Sequence, residues 1–107
     1  MQPRKPIYST YEQNEDARAA ISDFVIRLAE GVDGLQDLHS AGDFAALARE
    51  CGRYAEQAVA FGYPLFAELA AQVAVAAADE KAERAEESLR ELADVAYRIR
   101  LAHRGAA

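Results

Sequence analysis

The sequence predicts an all-α protein: an antiparallel, up-down-up-down four-helix bundle preceded by an extended N-terminal arm. Three observations carry that expectation. Alanine, the residue with the highest helix propensity, supplies 25 of the 107 positions, whereas proline and glycine supply only 3 and 6. Apolar residues recur at three- and four-residue spacings in four successive stretches. Gly42, Gly62 and Asp79 punctuate those stretches at intervals suited to short corners between antiparallel neighbours.

Residues 1–13 hold two of the three prolines, a Tyr-Ser-Thr-Tyr run and no helical period, so they read as the arm, with Ile7, Tyr8 and Tyr11 able to lie against a bundle end. Residues 14–104 form the bundle. The first helix, over about 14–41, starts at Asn14, a good N-cap, and Glu15 and Asp16 complement the helix dipole. Ile21, Phe24, Val25, Leu28, Val32, Leu35 and Leu38 form its inward stripe. Gly31 and Gly34 interrupt that helix at about 1 kcal/mol each relative to alanine and favour a bend.

Gly42 stops the first helix and Asp43 caps the second, over 43–61. Its inward face is Phe44, Leu47, Ala48, Cys51, Tyr54, Ala55, Ala58 and Phe61; Arg49, Glu50, Gly52, Arg53, Glu56 and Gln57 lie opposite. Pro64, at a first-turn position, opens the third helix (64–78) after Gly62. Its core face is Leu65, Phe66, Leu69, Val73 and Ala76. The fourth helix, 80–103, turns Ala82, Ala85, Leu89, Leu92, Ala96 and Ile99 inward, and Arg98, Arg100, His103 and Arg104 crowd its C-terminal end, where the dipole favours cations. Phe24, Leu28, Leu47, Cys51, Phe61, Leu69, Leu92 and Ile99 are expected to be largely buried.

Composition excludes several functions. Asp plus Glu outnumber Lys plus Arg by 18 to 12, a net charge of −6, which disfavours nucleic acid or an anionic membrane as partner. The weakly charged stretch Ala58 to Ala78 is crossed by Gly62, Pro64 and Gln72 and reads as a corner between two buried helices rather than a membrane span. A single cysteine leaves no intrachain disulfide and no zinc-finger set, consistent with a cytoplasmic protein. No metal or cofactor is expected. His39 and His103 do not form a metal pair at helical spacing; they read as a polar helix-end residue and part of a frayed basic end. Cys51 reads as a small buried hydrophobe. Neighbouring carboxylates such as Glu86 and Glu87 point about 100° apart on a helix. No nucleophile elbow, phosphate loop or Ser-His-Asp set is present, so no catalytic residue is assigned and the protein is not expected to be an enzyme.

The second helix and the corner after it, Leu47-Ala48 followed by Ala58-Val59-Ala60-Phe61-Gly62-Tyr63-Pro64, resemble the histidine-containing phosphotransfer (HPt) domains of bacterial phosphorelays. Ala41-Gly42-Asp43 before that helix, and Phe24-Val25 with Leu28 in the first, agree with the same pattern, and the resemblance spans residues 6–101. Family members carry His-x-Leu-Lys-Gly on this helix. Counting back from Pro64 places the phosphoacceptor histidine at Gly52, the leucine at Tyr54, the lysine at Ala55 and the glycine at Glu56. Glycine offers no nucleophile, Ala55 no cation, and Glu56 puts a negative charge where a phosphate would sit.

The resemblance implies a degenerate signalling module that docks on a response-regulator receiver domain or a histidine kinase without carrying phosphate. Its candidate docking face is Arg49, Arg53, Ala55 and Glu56 around an exposed Gly52. Two other readings stand beside it: a structural or homo-oligomeric bundle that has lost signalling, and a working phosphotransfer protein using His39 or His103.

Overall fold

The computed structural model describes the backbone of residues 5–106 and the side chains of residues 5–103. It contains four α-helices and, among the described residues, no strand: α1 Glu15–Ser40, α2 Phe44–Ala60, α3 Pro64–Ala78 and α4 Ala82–Ala106. Contacts join α1 to α2, α2 to α3, α3 to α4, and α4 back to α1, with α2 packing most extensively on α3. No helix is long and apolar enough to cross a membrane among the described residues.

The helix starts follow local chemistry. Asn14 Oδ1 accepts the Asp16 N–H at 2.9 Å, and Asp43 Oδ1 accepts the Ala46 N–H at 3.2 Å, so one of the donors orphaned at each of these two helix starts has a partner. Pro64, with no N–H to lose, opens α3.

The three corners are variants of one device. After α1, Gly42 N–H bonds His39 C=O and Asp43 N–H bonds Leu38 C=O; after α2, Gly62 and Tyr63 bond Val59 and Ala58 in the same way. After α3, Glu80 bonds Ala77 and Lys81 bonds Ala76. Each is a Schellman turn, which needs its penultimate residue in the left-handed region. Gly42 (φ 75°) and Gly62 (φ 82°) meet that need without steric cost, whereas at the third corner it falls on Glu80 (φ 57°). This corrects the expected start of the last helix: a residue at positive φ cannot belong to it, so α4 begins at Ala82 rather than residue 80.

The core is one continuous cluster. Leu28, Leu47, Cys51, Phe66, Ala70, Val73, Ala85, Leu92 and Ile99 are wholly inaccessible. Phe24 stands at its aromatic centre, with ring centroids 5.2 Å from Phe61, 5.9 Å from Tyr63 and 6.1 Å from Phe66. Ala67, Ala70, Ala76 and Ala77 are all buried on α3, so small side chains rather than bulk let this helix sit close to its neighbours. Of the eight residues expected to be buried, Phe61 is the exception: it is the C-cap of α2, off the helical stripe, and is half-buried.

α1 runs unbroken through Gly31 and Gly34. Gly31 serves tertiary packing: a methyl group there would collide with the Tyr54 hydroxyl of α2 and lie 2.8 Å from its Cζ, while at Gly34 the same space is empty. Residues 5–9 have no regular structure and 10–13 form a turn; residues 1–4 of the expected arm lie outside the described residues. Ile7 N–H bonds Arg98 C=O at 3.0 Å, Thr10 N–H bonds Gly62 C=O at 2.9 Å, and the buried Ser9 donates its hydroxyl to Phe61 C=O at 2.6 Å. The segment therefore bridges α4 and the α2–α3 corner.

Candidate functional site

Gly52 lies in the middle of α2, directly after the fully buried Cys51. Successive helical positions rotate by about 100°, so Cys51 points to the core and position 52 toward the helix flank. Gly52 itself is partly covered rather than fully exposed, yet a Cβ built there meets nothing within 4 Å. A side chain at 52 would thus project into open space.

Arg49, Arg53 and Glu56 are exposed around it; Ala55 is half-buried and packs against the core, so it forms the inner margin of this face. The arginines are not independent cations. Arg53 Nη1 donates to Glu50 Oε2 at 2.9 Å, and Arg49 Nε lies 4.0 Å from Glu50 Oε1, so one carboxylate engages both. Glu56 makes no ion pair with a described side chain. Two cations and two carboxylates leave this surface electrically neutral, and the exposed pairs contribute little to stability.

Chemistry at this face is limited. Burial, and secondarily the charge of Glu50, push the Cys51 thiol up to about 12, which makes it a poor nucleophile at neutral pH. Burial and then Glu50 also raise the Tyr54 phenol. Neither group offers a phosphoryl acceptor on the surface. Among the described residues no set of three or more His, Cys, Asp or Glu is arranged to hold a metal ion.

The histidines are placed elsewhere. His39, near the end of α1, has Nε2 2.8 Å from the Ala82 carbonyl, to which it donates, and its ring meets Phe44 edge-on at 5.8 Å. It ties the end of α1 to the start of α4. His103 departs from the expected frayed end: it is half-buried within α4, its Nε2 3.4 Å from the Ser22 hydroxyl of α1. The side chain of Arg104 lies outside the described residues.

Comparison of the chain with protein-family models, with curated proteins and with solved structures returned no match.

Proposed function

We propose that this chain is an HPt-like signalling module, cytoplasmic, that docks on a receiver domain or on the helical dimerisation domain of a histidine kinase and carries no phosphate. The observation supporting this reading is the mid-helix surface of α2: open space over Gly52, no nucleophile beneath it, and Arg49 and Arg53 at its edge. Turns of three residues between successive helices, 41–43, 61–63 and 79–81, fit the up-down-up-down winding that such a module needs. With no side chain and open space at Gly52, another helix can approach the α2 backbone closely, which suits docking as well as self-association.

The test is a titration of the protein against receiver domains and kinase dimerisation domains from the same genome, followed by calorimetry. A partner binding in the micromolar range is expected, with Arg49→Glu plus Arg53→Glu weakening it about tenfold or more through loss of charge complementarity. The unmodified protein takes up no phosphate from phosphorylated receivers, and neither does Gly52→His alone, because Ala55 supplies no cation and Glu56 repels the phosphate. Gly52→His with Ala55→Lys and Glu56→Gly gains some acceptance; the lysine stem can run along the half-buried surface and place its ammonium outside. Phosphate uptake by the unmodified protein at His39 or His103, or self-association without any binding to the panel, would overturn the proposal; the latter outcome defines a structural bundle instead.

A further inference from the structure

A cleft of about 340 Å³ opens between the N-terminal segment, the start of α1 and the end of α4, remote from the α2 face. It adjoins the α2–α3 corner at Tyr63, and Gly52 lies about 14 Å of helix rise from that corner. Three of its lining residues, Ile21, Tyr63 and Ala102, are buried and give it an apolar floor. Tyr8, Ser9 and Glu12 line it from the N-terminal segment, which is anchored by Ile7 on Arg98 and by Ser9 on Phe61. The volume falls within the range of small-molecule sites, which pair apolar walls with a few converging polar groups.

The polar groups are sorted by side. Arg18 and Ser22 are four residues apart on α1 and so share a face, and His103 reaches the Ser22 hydroxyl from α4. Guanidinium, hydroxyl and imidazole thereby line one side of the cleft, with one proton of the Ser22–His103 pair shared between hydroxyl and ring. Arg18 makes no ion pair with a described side chain, so its guanidinium is not already engaged by a carboxylate of that set. Glu12 belongs to the other side, beside the Tyr63 phenol; burial and the Glu12 charge push that phenol up to about 12, so it stays protonated as a hydrogen-bond donor.

We infer that this cleft binds a small aromatic monocarboxylate. The carboxylate meets Arg18, Ser22 and His103; the ring lies on Ile21 and Ala102 between Tyr8 and Tyr63. A hydroxyl or amino group at the far end of the ring meets Glu12, which also repels a second anionic group. The reading is independent of whether α2 docks a signalling partner.

The test is a titration of ¹⁵N-labelled protein with 4-hydroxybenzoate, with 4-hydroxybenzamide and benzylamine as uncharged and cationic comparators. Saturable shifts are expected for 4-hydroxybenzoate at Ile21, Ser22, Tyr63, Ala102 and His103 and not at Gly52 or Arg53, with a dissociation constant on the order of 1 mM or below. The amide should bind about tenfold more weakly, and Arg18→Gln should weaken the acid by a similar factor, since charge-assisted hydrogen bonds are the strong ones. Arg27→Gln, on another exposed arginine of α1 that lies outside the cleft, should leave binding unchanged. Absence of saturable shifts, preference for benzylamine, equal binding of acid and amide, or an Arg18→Gln variant that keeps the wild-type spectrum and full affinity would each overturn the assignment.

Discussion

Replacing Gly31 and Gly34 of α1 separately by alanine isolates one tertiary contact within a single helix. Intrinsic propensity favours both substitutions by about 1 kcal/mol. At Gly34 nothing lies within 4 Å of the new methyl, so Gly34→Ala should realise that gain and raise Tm by about 4 °C or more. At Gly31 the methyl strikes the Tyr54 hydroxyl and would sit 2.8 Å from Cζ. Tyr54 cannot swing away freely, because its ring packs edge-on to Phe66 with centroids 6.4 Å apart. Forced overpacking of this kind costs about 1–3 kcal/mol. Gly31→Ala should therefore be less stable than Gly34→Ala by that margin, and between neutral and about 2 kcal/mol less stable than the parent. Urea unfolding followed by helical circular dichroism measures both. Adding Tyr54→Ala should abolish the difference, because the colliding ring is gone. If Gly31→Ala matches Gly34→Ala in the presence of Tyr54, the close approach of α2 to α1 at this point is wrong.

Glu80→Gly should stabilise the protein by up to about 1 kcal/mol in the same assay, by removing a side chain from the left-handed region at the third corner. Gly62→Ala should do the reverse by about 1–3 kcal/mol, since Gly62 has positive φ and its missing Cβ leaves room for Ser9 Oγ at 2.6 Å and Thr10 N at 2.9 Å. Folded protein should resist thiol alkylation at pH 8, with Cys51 labelled only on unfolding; rapid native labelling would contradict its burial. Stability should fall as pH rises from about 9 to about 12: Cys51 and Tyr63 keep their protons in the folded state through this window, whereas the unfolded chain has released them, so high pH favours unfolding. A urea midpoint that stays flat across that range would count against both shifts.

Much of the architecture was legible because its determinants are local. Apolar spacing marked four helices, and Gly42 and Gly62 marked two corners to within a residue. The end of α3 and Asp79 were legible as well, but the start of α4 fell two residues early because the left-handed residue of that corner is a glutamate, which carries no such signal in sequence. Contacts between distant residues were illegible. Gly31 looked like a liability until Tyr54 was seen against it, and nothing in the sequence places the Glu50 carboxylate between Arg49 and Arg53. The cleft was missed for the same reason: Ser22 and His103 are 81 positions apart, and neither belongs to a recognisable motif.

The bridging of α4 and the α2–α3 corner by residues 7–10 has a consequence for the order in which the molecule assembles. Its anchors are the Arg98, Phe61 and Gly62 carbonyls, so it has nothing to bind until that corner and the end of α4 have come together. Contacts of such long sequence separation bear a loop-closure cost and form late. The segment should dock after the helices have collapsed and detach before any of them melts. The Ile7 and Thr10 amides would then exchange with solvent deuterium faster than the core amides of α2, through an opening that leaves the bundle intact. The first motion of this protein away from its native state should then be a release of residues 7–10, which would carry Tyr8 and Glu12 away from the cleft they line.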